Sequence, residues 1–136
     1  MQKKIVLGDT SARIDWGYAK DYMDAAWSML QQKDADDYVI GSGIAYSVRD
    51  FVNIVAQELE INIQWKGRGI DEIGIDASTG NTIVSVDARY FRPTEVETLL
   101  GDTTKAKEKL GWEPKISFEK LVATMVEADI SGLGPQ

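Results

Sequence analysis

Cysteine and histidine are both absent from this 136-residue sequence. Their absence excludes disulfides, Cys/His zinc sites, thiol nucleophiles and imidazole acid–base catalysis for this chain. Long apolar runs are absent too. None approaches the roughly 20 residues needed to span a bilayer, and the first residues, MQKKIVLGD, lack the apolar core of a signal peptide. We therefore expect a cytoplasmic chain that does not interact with membranes.

Positive charge is in short supply. Lys and Arg number 15 against 22 Asp and Glu, which gives a formal net charge of −7. This balance disfavours a nonspecific nucleic-acid binder, because such binding depends on cations that displace counterions from phosphates. Any phosphate contact must therefore be local. With 43% apolar residues, we expect one lobe with a modest core over residues 1–130 and a frayed tail over 131–136.

The hydrophobic pattern predicts an α/β chain that is mostly helical and has short strands. Apolar residues recur at helical spacing in three segments, and each series is expected to form a buried stripe. These segments are 19–30, 48–59 and 118–130. Short strands are predicted at 3–7, 38–40, 61–65 and 82–87, whereas 66–81 shows no sustained period and is interpreted as an excursion loop or a loose hairpin. Core packing is favoured for all four tryptophans, Trp16, Trp27, Trp65 and Trp112.

Local signals predict where the helices begin and end. Ser47 opens the motif S-V-R-D, which resembles a capping box at the start of the second helix. Asp102 or Thr103 can cap a short helix, and Gly111 offers a left-handed stop for it. Ser117 is expected to cap the last helix.

The segment VDARYFRPTEVETLLGDTTKAKEKLGW, residues 86–112, carries the densest local chemistry. Arg89 and Arg92 flank Tyr90 and Phe91 ahead of a proline, so two planar cations and two rings meet where an extended run must turn. This combination is typical of the edge of a site that binds an anion or a nucleotide. A surface turn whose rings cover the edge of the core fits the same residues, and chemistry alone leaves both interpretations open.

The same segment resembles the C-terminal substrate-binding portion of GDP-mannose 4,6-dehydratases, which belong to the extended short-chain dehydrogenase/reductase superfamily. Three other stretches resemble that portion in the same order: DWGYAKDYMDAAWSMLQQ, DDYVIGSGIAYSVRDFV and ISFEKLVATMVEADI. The resemblance implies an α/β substrate-binding lobe that takes a GDP-sugar. The parent enzymes that it implies use NADP to convert GDP-mannose to its 4-keto-6-deoxy product.

The resemblance does not extend to the family's N-terminal half, where the cofactor and catalytic motifs lie. A glycine-rich strand-to-helix turn is missing, because the pairs Gly41/Gly43 and Gly67/Gly69 lack a third glycine at the right offset. The superfamily's Tyr-x-x-x-Lys pair is missing too. The residues four positions after the five tyrosines are Tyr22, Ala26, Ser42, Asp50 and Thr94. We therefore expect no cofactor site, no catalytic residue and no metal site in this chain.

The family's Arg-Pro-x-Glu motif, directed toward phosphate and ribose, implies substrate-binding roles for Arg92 and Glu95. A guanidinium matches phosphate oxygens bidentately, and a carboxylate accepts hydrogen bonds from ribose hydroxyls. The alternative is a solvated i, i+3 ion pair between the two residues. The family's Arg-Asp-Trp-Gly motif departs here, because Ile14 precedes Asp15 and the arginine, Arg13, stands one position earlier.

Arg13 can replace the family's arginine only if the local backbone is irregular, because a one-residue offset in an extended segment points a side chain to the opposite face. Tyr46 precedes a predicted helix cap and either touches the ligand or is an exposed loop ring. The carboxylate pair Asp71/Glu72 is interpreted as solubilising loop charge rather than as an acid–base dyad or a metal ligand.

Three functions remain open. The first is a GDP-mannose 4,6-dehydratase-related fragment that binds a nucleotide sugar and is inactive alone. The second is a structural or self-associating module with a vestigial nucleotide site, which Ile14 favours. The third is a fragment of a related reductase or epimerase. In the parent architecture the lobe lies against the dinucleotide-binding domain, so without that domain the stripes of 19–30 and 118–130 would be exposed, and a homo-oligomer is expected.

The pure chain, incubated with GDP-mannose and NADP, is expected to form no keto-sugar, because it lacks the dinucleotide cradle and the Tyr/Lys pair. Chromatography of the nucleotide sugars measures the product, and a full-length GDP-mannose 4,6-dehydratase serves as the positive control. Any keto-sugar formed by the pure chain would contradict this expectation.

Overall fold

The computed structural model describes residues 4–92 and 100–132. The chain divides into two compact units, which we call the sheet unit (Met1–Arg13 with Ser47–Glu97) and the helix unit (Ile14–Tyr46 with Thr98–Gln136). Within the described ranges, no helix is both long enough and apolar enough to cross a membrane. Residues 133–136 of the predicted tail lie outside these ranges.

The elements are β1 (Ile5–Leu7), β2 (Arg13–Asp15), α1 (Ala19–Leu30), β3 (Ala45–Ser47), α2 (Val48–Glu58), β4 (Ile63–Lys66), a 3₁₀ turn (Gly69–Asp71), β5 (Ile73–Asp76), β6 (Thr82–Val86), α3 (Thr104–Leu110) and α4 (Phe118–Gly132). One sheet has the strand order β1-β6-β5-β4, and β2 pairs with β3 in a second sheet. The prediction of a mixed α/β chain with short strands is confirmed.

The sheet unit combines α2 with the four-stranded sheet. Ile63 and Trp65 of β4 are half-buried while Gln64 and Lys66 are exposed, which is the alternation expected of a strand with one covered face. The apolar side of α2 and residues of β1, β4 and β6 line a groove of 260 Å³. The stripe of α2 thus faces the apolar side of the sheet, but the predicted burial holds only in part, because Leu59 at its end is 42% exposed.

The capping box at the start of α2 is confirmed. The backbone N–H of Asp50 donates to the Ser47 hydroxyl at 3.0 Å, and the backbone N–H of Ser47 donates to the Asp50 carboxylate at 2.8 Å. Each side chain therefore satisfies a backbone donor that the first turn of a helix leaves without a partner.

A strand that the sequence pattern missed, β5, lies within 66–81. It pairs antiparallel with β4 and with β6, so of the two interpretations of 66–81 the excursion loop is wrong for residues 73–76 and the hairpin is confirmed. The pattern fails at Gly74, which is buried but has no apolar side chain. A Cβ there would lie 3.1 Å from Val84 and 3.2 Å from Ile63, so the neighbouring strands already fill that space. Packing against the neighbouring strands therefore stabilises β5 although glycine has a low intrinsic preference for strands.

The core of the helix unit forms where α1, α3 and the segment after α3 meet. Ala25 and Ala106 are fully buried, and Trp112 is 7% exposed. Tyr22 meets the Trp112 ring edge-on at a centroid distance of 5.9 Å. Two alanines let the backbones approach closely, and the large indole fills the remaining space, which confirms core packing for Trp112.

The apolar stripe of α1 is exposed, although the helix forms over the predicted residues. Met23, Trp27 and Leu30 are 64%, 67% and 78% exposed. The burial that periodicity predicts for this stripe, and for Trp27 with it, is therefore wrong, whereas the expectation that the stripe of 19–30 is exposed is confirmed at these three residues. The buried positions are instead Asp21 and Ala25.

Asp21 gives the physical reason for this orientation. Its carboxylate accepts hydrogen bonds from the backbone N–H groups of Lys115 at 2.8 Å and Ile116 at 3.0 Å. Its backbone carbonyl accepts a hydrogen bond from the Trp112 indole N–H at 2.9 Å. A buried carboxylate must keep such partners, so these contacts fix which face of α1 turns inward.

The segment 38–40, predicted as a strand, is not one. Tyr38 and Ile40 pack against the core of the helix unit, while Val39 is 49% exposed. Their alternation reflects packing against helices, and in the described part of the chain these residues have no partner strand. Short apolar runs do not distinguish these two situations.

The predicted ends of α3 and the start of α4 are confirmed. Of the two predicted caps, Asp102 accepts a hydrogen bond from the backbone N–H of Thr104 at 3.0 Å, whereas the Thr103 side chain makes no capping hydrogen bond. Gly111 ends α3 in the left-handed conformation at φ 62°. Ser117 accepts a hydrogen bond from the backbone N–H of Lys120 at 3.3 Å. The stripe of α4 is buried only at its start.

Phe118 and Val122 are buried, whereas Met125 and Ile130 farther along α4 are 46% and 53% exposed. The second half of α4 thus exposes part of the apolar series that the pattern predicts as buried.

Ser47→Ala is expected to lower the free energy of unfolding by about 1 kcal/mol, because it removes one half of the capping box. Urea denaturation followed by circular dichroism measures the loss. Ser131→Ala is the matched control, since the Ser131 hydroxyl donates to the Glu127 carbonyl within α4 and caps nothing. Equal stability of both variants would contradict the role of the cap.

Candidate functional site

The carboxyl ends of β1 and β6 form the edge at which two of the predicted site residues are presented. The strands run parallel, with Leu7 opposite Val86, so both end at the same edge of the sheet. Arg13 follows the loop after β1, and Arg92 follows the turn after β6. In open α/β sheets, ligands bind outside the carboxyl ends of the strands. We refer to these two connections in the sheet unit as the carboxyl edge.

The turn after β6 is tightly bonded. The Asp87 carbonyl accepts hydrogen bonds from the N–H groups of Tyr90 at 2.9 Å and Phe91 at 3.0 Å. The Arg89 side chain donates to the Asp87 carboxylate at 2.6 Å and lies 5.5 Å from the centre of the Tyr90 ring. The hydrogen bond from Arg89 lowers the pKa of Asp87 to about 2. Arg89 is therefore paired with Asp87, while Arg92 is exposed at the end of the turn.

The connection after β1 passes close to this turn. A Cβ on Gly8 would lie 2.4 Å from the carbonyl oxygen of Tyr90, a distance that no side chain tolerates. The N–H of Asp87 donates to the carbonyl of Leu7 at 3.0 Å. Glycine at position 8 thus allows the two connections to lie in contact.

Beneath the edge lies a buried polar cluster of Thr10, Arg49 and Glu72. Thr10 and Glu72 are each 2% exposed. The Thr10 hydroxyl donates to one Glu72 carboxylate oxygen, and the Arg49 guanidinium lies 2.5 Å from the other. The interpretation of Glu72 as loop charge is therefore wrong, although Asp71 beside it is exposed.

This cluster escaped prediction because its members are far apart in sequence. Thr10 and Glu72 are separated by 62 positions, and no local motif joins them. Backbone bonds reinforce the contact: the N–H of Arg49 donates to the Thr10 carbonyl at 2.9 Å, and the N–H of Val48 donates to the Ala12 carbonyl at 3.1 Å. The first turn of α2 is thereby tied to the loop that leads to Arg13.

Arg13 lies exposed on β2, and the extended strand over Arg13–Asp15 does not supply the irregular backbone on which its replacement of the family's arginine depends. Its contact with a phosphate therefore stays a prediction. The positive charge of Arg13 affects the pKa of Asp50. Burial raises that pKa, but hydrogen bonds from Ser47 and the positive charges of Arg13 and Arg49 lower it, and the net effect is a lowered pKa. Two cations therefore lie near the start of α2, where the helix end also favours negative charge.

Glu95, predicted to bind ribose, lies outside the described residues, as does any ion pair between it and Arg92. Tyr46, in the helix unit, is half-buried on β3 and stacks on Phe118 at a centroid distance of 4.1 Å. The alternative of an exposed loop ring is wrong for Tyr46, and its contact with a ligand stays a prediction. Among the described residues, no group of three or more carboxylates could hold a metal ion.

Comparison with known proteins agrees with the resemblance. The sequence model of the GDP-mannose 4,6 dehydratase family matches residues 1–125. The chain is 48% identical over 132 residues to GDP-mannose 4,6-dehydratase of Sinorhizobium fredii, covering 97% of this chain and 38% of that protein. It is 47% identical over 124 residues to GDP-mannose 4,6 dehydratase of Homo sapiens, covering 91% of this chain and 33% of that protein.

Solved structures show the same fold. RMD from Pseudomonas aeruginosa, solved with NADPH, is similar with a TM-score of 0.74 at 16% identity, over 97% of this chain and 37% of that one. dTDP-glucose 4,6-dehydratase from Bacillus anthracis is similar with a TM-score of 0.68 at 18% identity. The match covers 95% of this chain and 35% of that one. These are extended short-chain dehydrogenase/reductase enzymes.

The chain spans about a third of the length of the curated relatives it matches. The family match covers nearly the whole of this chain, and its fold agrees with that of the extended short-chain dehydrogenases/reductases. The chain belongs to the GDP-mannose 4,6-dehydratase family.

Proposed function

We propose that this chain forms the nucleotide-sugar-binding part of a GDP-mannose 4,6-dehydratase, with residues 1–130 as the substrate-binding lobe and the GDP diphosphate at the carboxyl edge. One observation carries the proposal: Arg13 and Arg92 follow the carboxyl ends of two adjacent parallel strands. Guanidinium groups at one edge can share the oxygens of a diphosphate.

The paired charges at the edge favour Arg92 over Arg89 for this role. Asp87 accepts hydrogen bonds from both the Nε and the Nη2 of Arg89, at 3.1 and 2.6 Å. A phosphate would have to displace that carboxylate to use Arg89 fully. Arg92 is exposed, and the resemblance implies that Glu95 binds the ribose.

NADP, which the family uses, does not fit the residues of this chain. A dinucleotide cradle needs a glycine-rich turn between a strand and the helix that follows it. In the described part of the chain, β3 leads directly into α2 through Ser47, whose side chain occupies the helix start. We therefore assign no step of the reaction and no cofactor contact to this chain, and propose that it is inactive alone.

Arg92→Ala is expected to weaken GDP binding by roughly 1.5–3 kcal/mol, the range for a hydrogen bond to a charged group. Isothermal titration calorimetry with GDP measures the affinity. Lys33→Ala, which removes one exposed cation from the helix unit, is the control and should leave affinity unchanged. The absence of GDP binding to the wild-type chain at millimolar ligand would contradict the proposed function.

Ile14→Arg should strengthen GDP binding, because it restores the family's arginine at the start of Arg-Asp-Trp-Gly. Ile14 is 44% exposed, so the substitution removes little buried apolar surface. Unchanged affinity would contradict a phosphate contact from position 14.

We propose self-association as a second function, favoured by the exposed face of α1. Met23, Trp27 and Leu30 are each more than half exposed and lie on one side of the helix. Contiguous apolar surface of this kind marks interaction sites in soluble proteins. The face offers a second copy of the chain an apolar contact, independently of any nucleotide site.

The chain is expected to be a homodimer or a higher oligomer, and Trp27→Gln is expected to shift it toward monomer. Light scattering over a range of micromolar concentrations measures the mass. Ile70→Gln is the matched control, because Ile70 is 52% exposed in the sheet unit, away from α1 in sequence. A wild-type monomer at high micromolar concentration that binds no apolar dye would overturn this proposal.

A further inference from the structure

Glu72 connects three segments that lead to the carboxyl edge. Its carboxylate accepts a hydrogen bond from Thr10, in the loop between β1 and Arg13. The same carboxylate pairs with Arg49 in the first turn of α2. Its backbone carbonyl accepts a hydrogen bond from the N–H of Val86, the last residue of β6, at 3.2 Å. One residue is thus bonded to the loop before Arg13 and to the strand before the Arg92 turn.

Burial makes these connections hard to replace. Glu72 and Thr10 are each 2% exposed, so water does not reach the carboxylate to substitute for a lost donor. A buried carboxylate without donors is strongly unfavourable, and the loop must therefore keep Thr10 directed at Glu72. The backbone of the loop is held as well, by the N–H groups of Arg49 and Val48.

The structure assigns Glu72 as a positioning residue of the nucleotide-diphosphate site: through Thr10 it fixes the loop that presents Arg13. Glu72 does not contact the ligand in this assignment, because both of its carboxylate oxygens already face Thr10 and Arg49. The identity of the ligand, a nucleotide diphosphate, rests on the proposed function. The claim that Glu72 fixes the loop through Thr10 does not rest on it, so separate measurements test the ligand and the loop.

The first measurement is amide hydrogen exchange in Thr10→Val, which removes the hydroxyl and leaves the Arg49–Glu72 pair. The amides of Val48 and Arg49 donate to the loop carbonyls, so their exchange should accelerate about tenfold, the effect of losing one hydrogen bond to a charged group. The amide of Ile61, which donates to the Ala56 carbonyl, should be unchanged.

Two further variants serve as controls for the exchange measurement. Thr10→Ser keeps the hydroxyl and should restore slow exchange. Thr79→Val is the matched control, because the Thr79 hydroxyl donates to the Asp76 carboxylate at 2.7 Å in an exposed turn. Unchanged exchange at Val48 and Arg49 in Thr10→Val would overturn the positioning role whether or not GDP binds.

The second measurement is a double-mutant cycle on GDP affinity. The effects of Thr10→Val and Arg13→Ala on the free energy of GDP binding should be non-additive. Once Thr10→Val has released the loop, Arg13 contributes less to binding, so its removal costs less. Thr10→Val and Arg92→Ala should be additive. Additivity in both cycles would overturn the link from Glu72 to Arg13. A wild-type chain that fails to bind GDP would overturn the ligand assignment along with the proposed function, while the exchange result would still decide the fixed loop.

Discussion

The buried carboxylate of Glu72 is the interaction on which the carboxyl edge depends. Its two oxygens face a threonine from the loop after β1 and an arginine from the start of α2. Removing a charge from water costs several kcal/mol unless good partners are present, so all these segments must be in place together. The carboxylate therefore links the loop after β1 to the start of α2. The half-exposed Arg49 gives the carboxylate a counter-charge that does not itself need full burial.

Features of this fold that rest on contacts between residues close in sequence could be predicted, and features that rest on contacts between distant residues could not. The capping box was visible in sequence because Ser47 and Asp50 exchange both hydrogen bonds within one turn. Gly111 was visible because a left-handed helix end favours one residue type. Glu72 was not visible, since its partner Thr10 lies 62 positions away and the surrounding acids and glycines are typical of a loop. The strand β5 was hidden for a related reason, because its buried position is Gly74 and the apolar atoms come from neighbouring strands.

The orientation of α1 shows two sequence signals in competition. Hydrophobic periodicity predicts that Met23 and Trp27 face the core, whereas Asp21 faces it in the structure. A buried carboxylate that accepts two backbone N–H groups satisfies donors that would otherwise be unpaired, and these bonds hold the helix. The apolar stripe is then left at the surface. An exposed stripe on a helix fixed by polar contacts is surface available for association, which periodicity alone would have assigned to the core.

An anion edge in a chain of net charge −7 has to rest on local geometry. Two described acids of the sheet unit are bonded to specific donors near this edge: Asp87 to Arg89, and Glu72 to Arg49 and Thr10. Because the pKa of Asp87 is about 2, its carboxylate stays ionised at neutral pH and continues to offset the charge of Arg89. Among the described residues, Asp87 and Glu72 are thus engaged elsewhere, and Arg92 is exposed where the turn ends. A diphosphate would be selected by the placement of individual guanidinium groups rather than by a positive field. The proposed diphosphate site is therefore compatible with a net charge that repels polyanions in general.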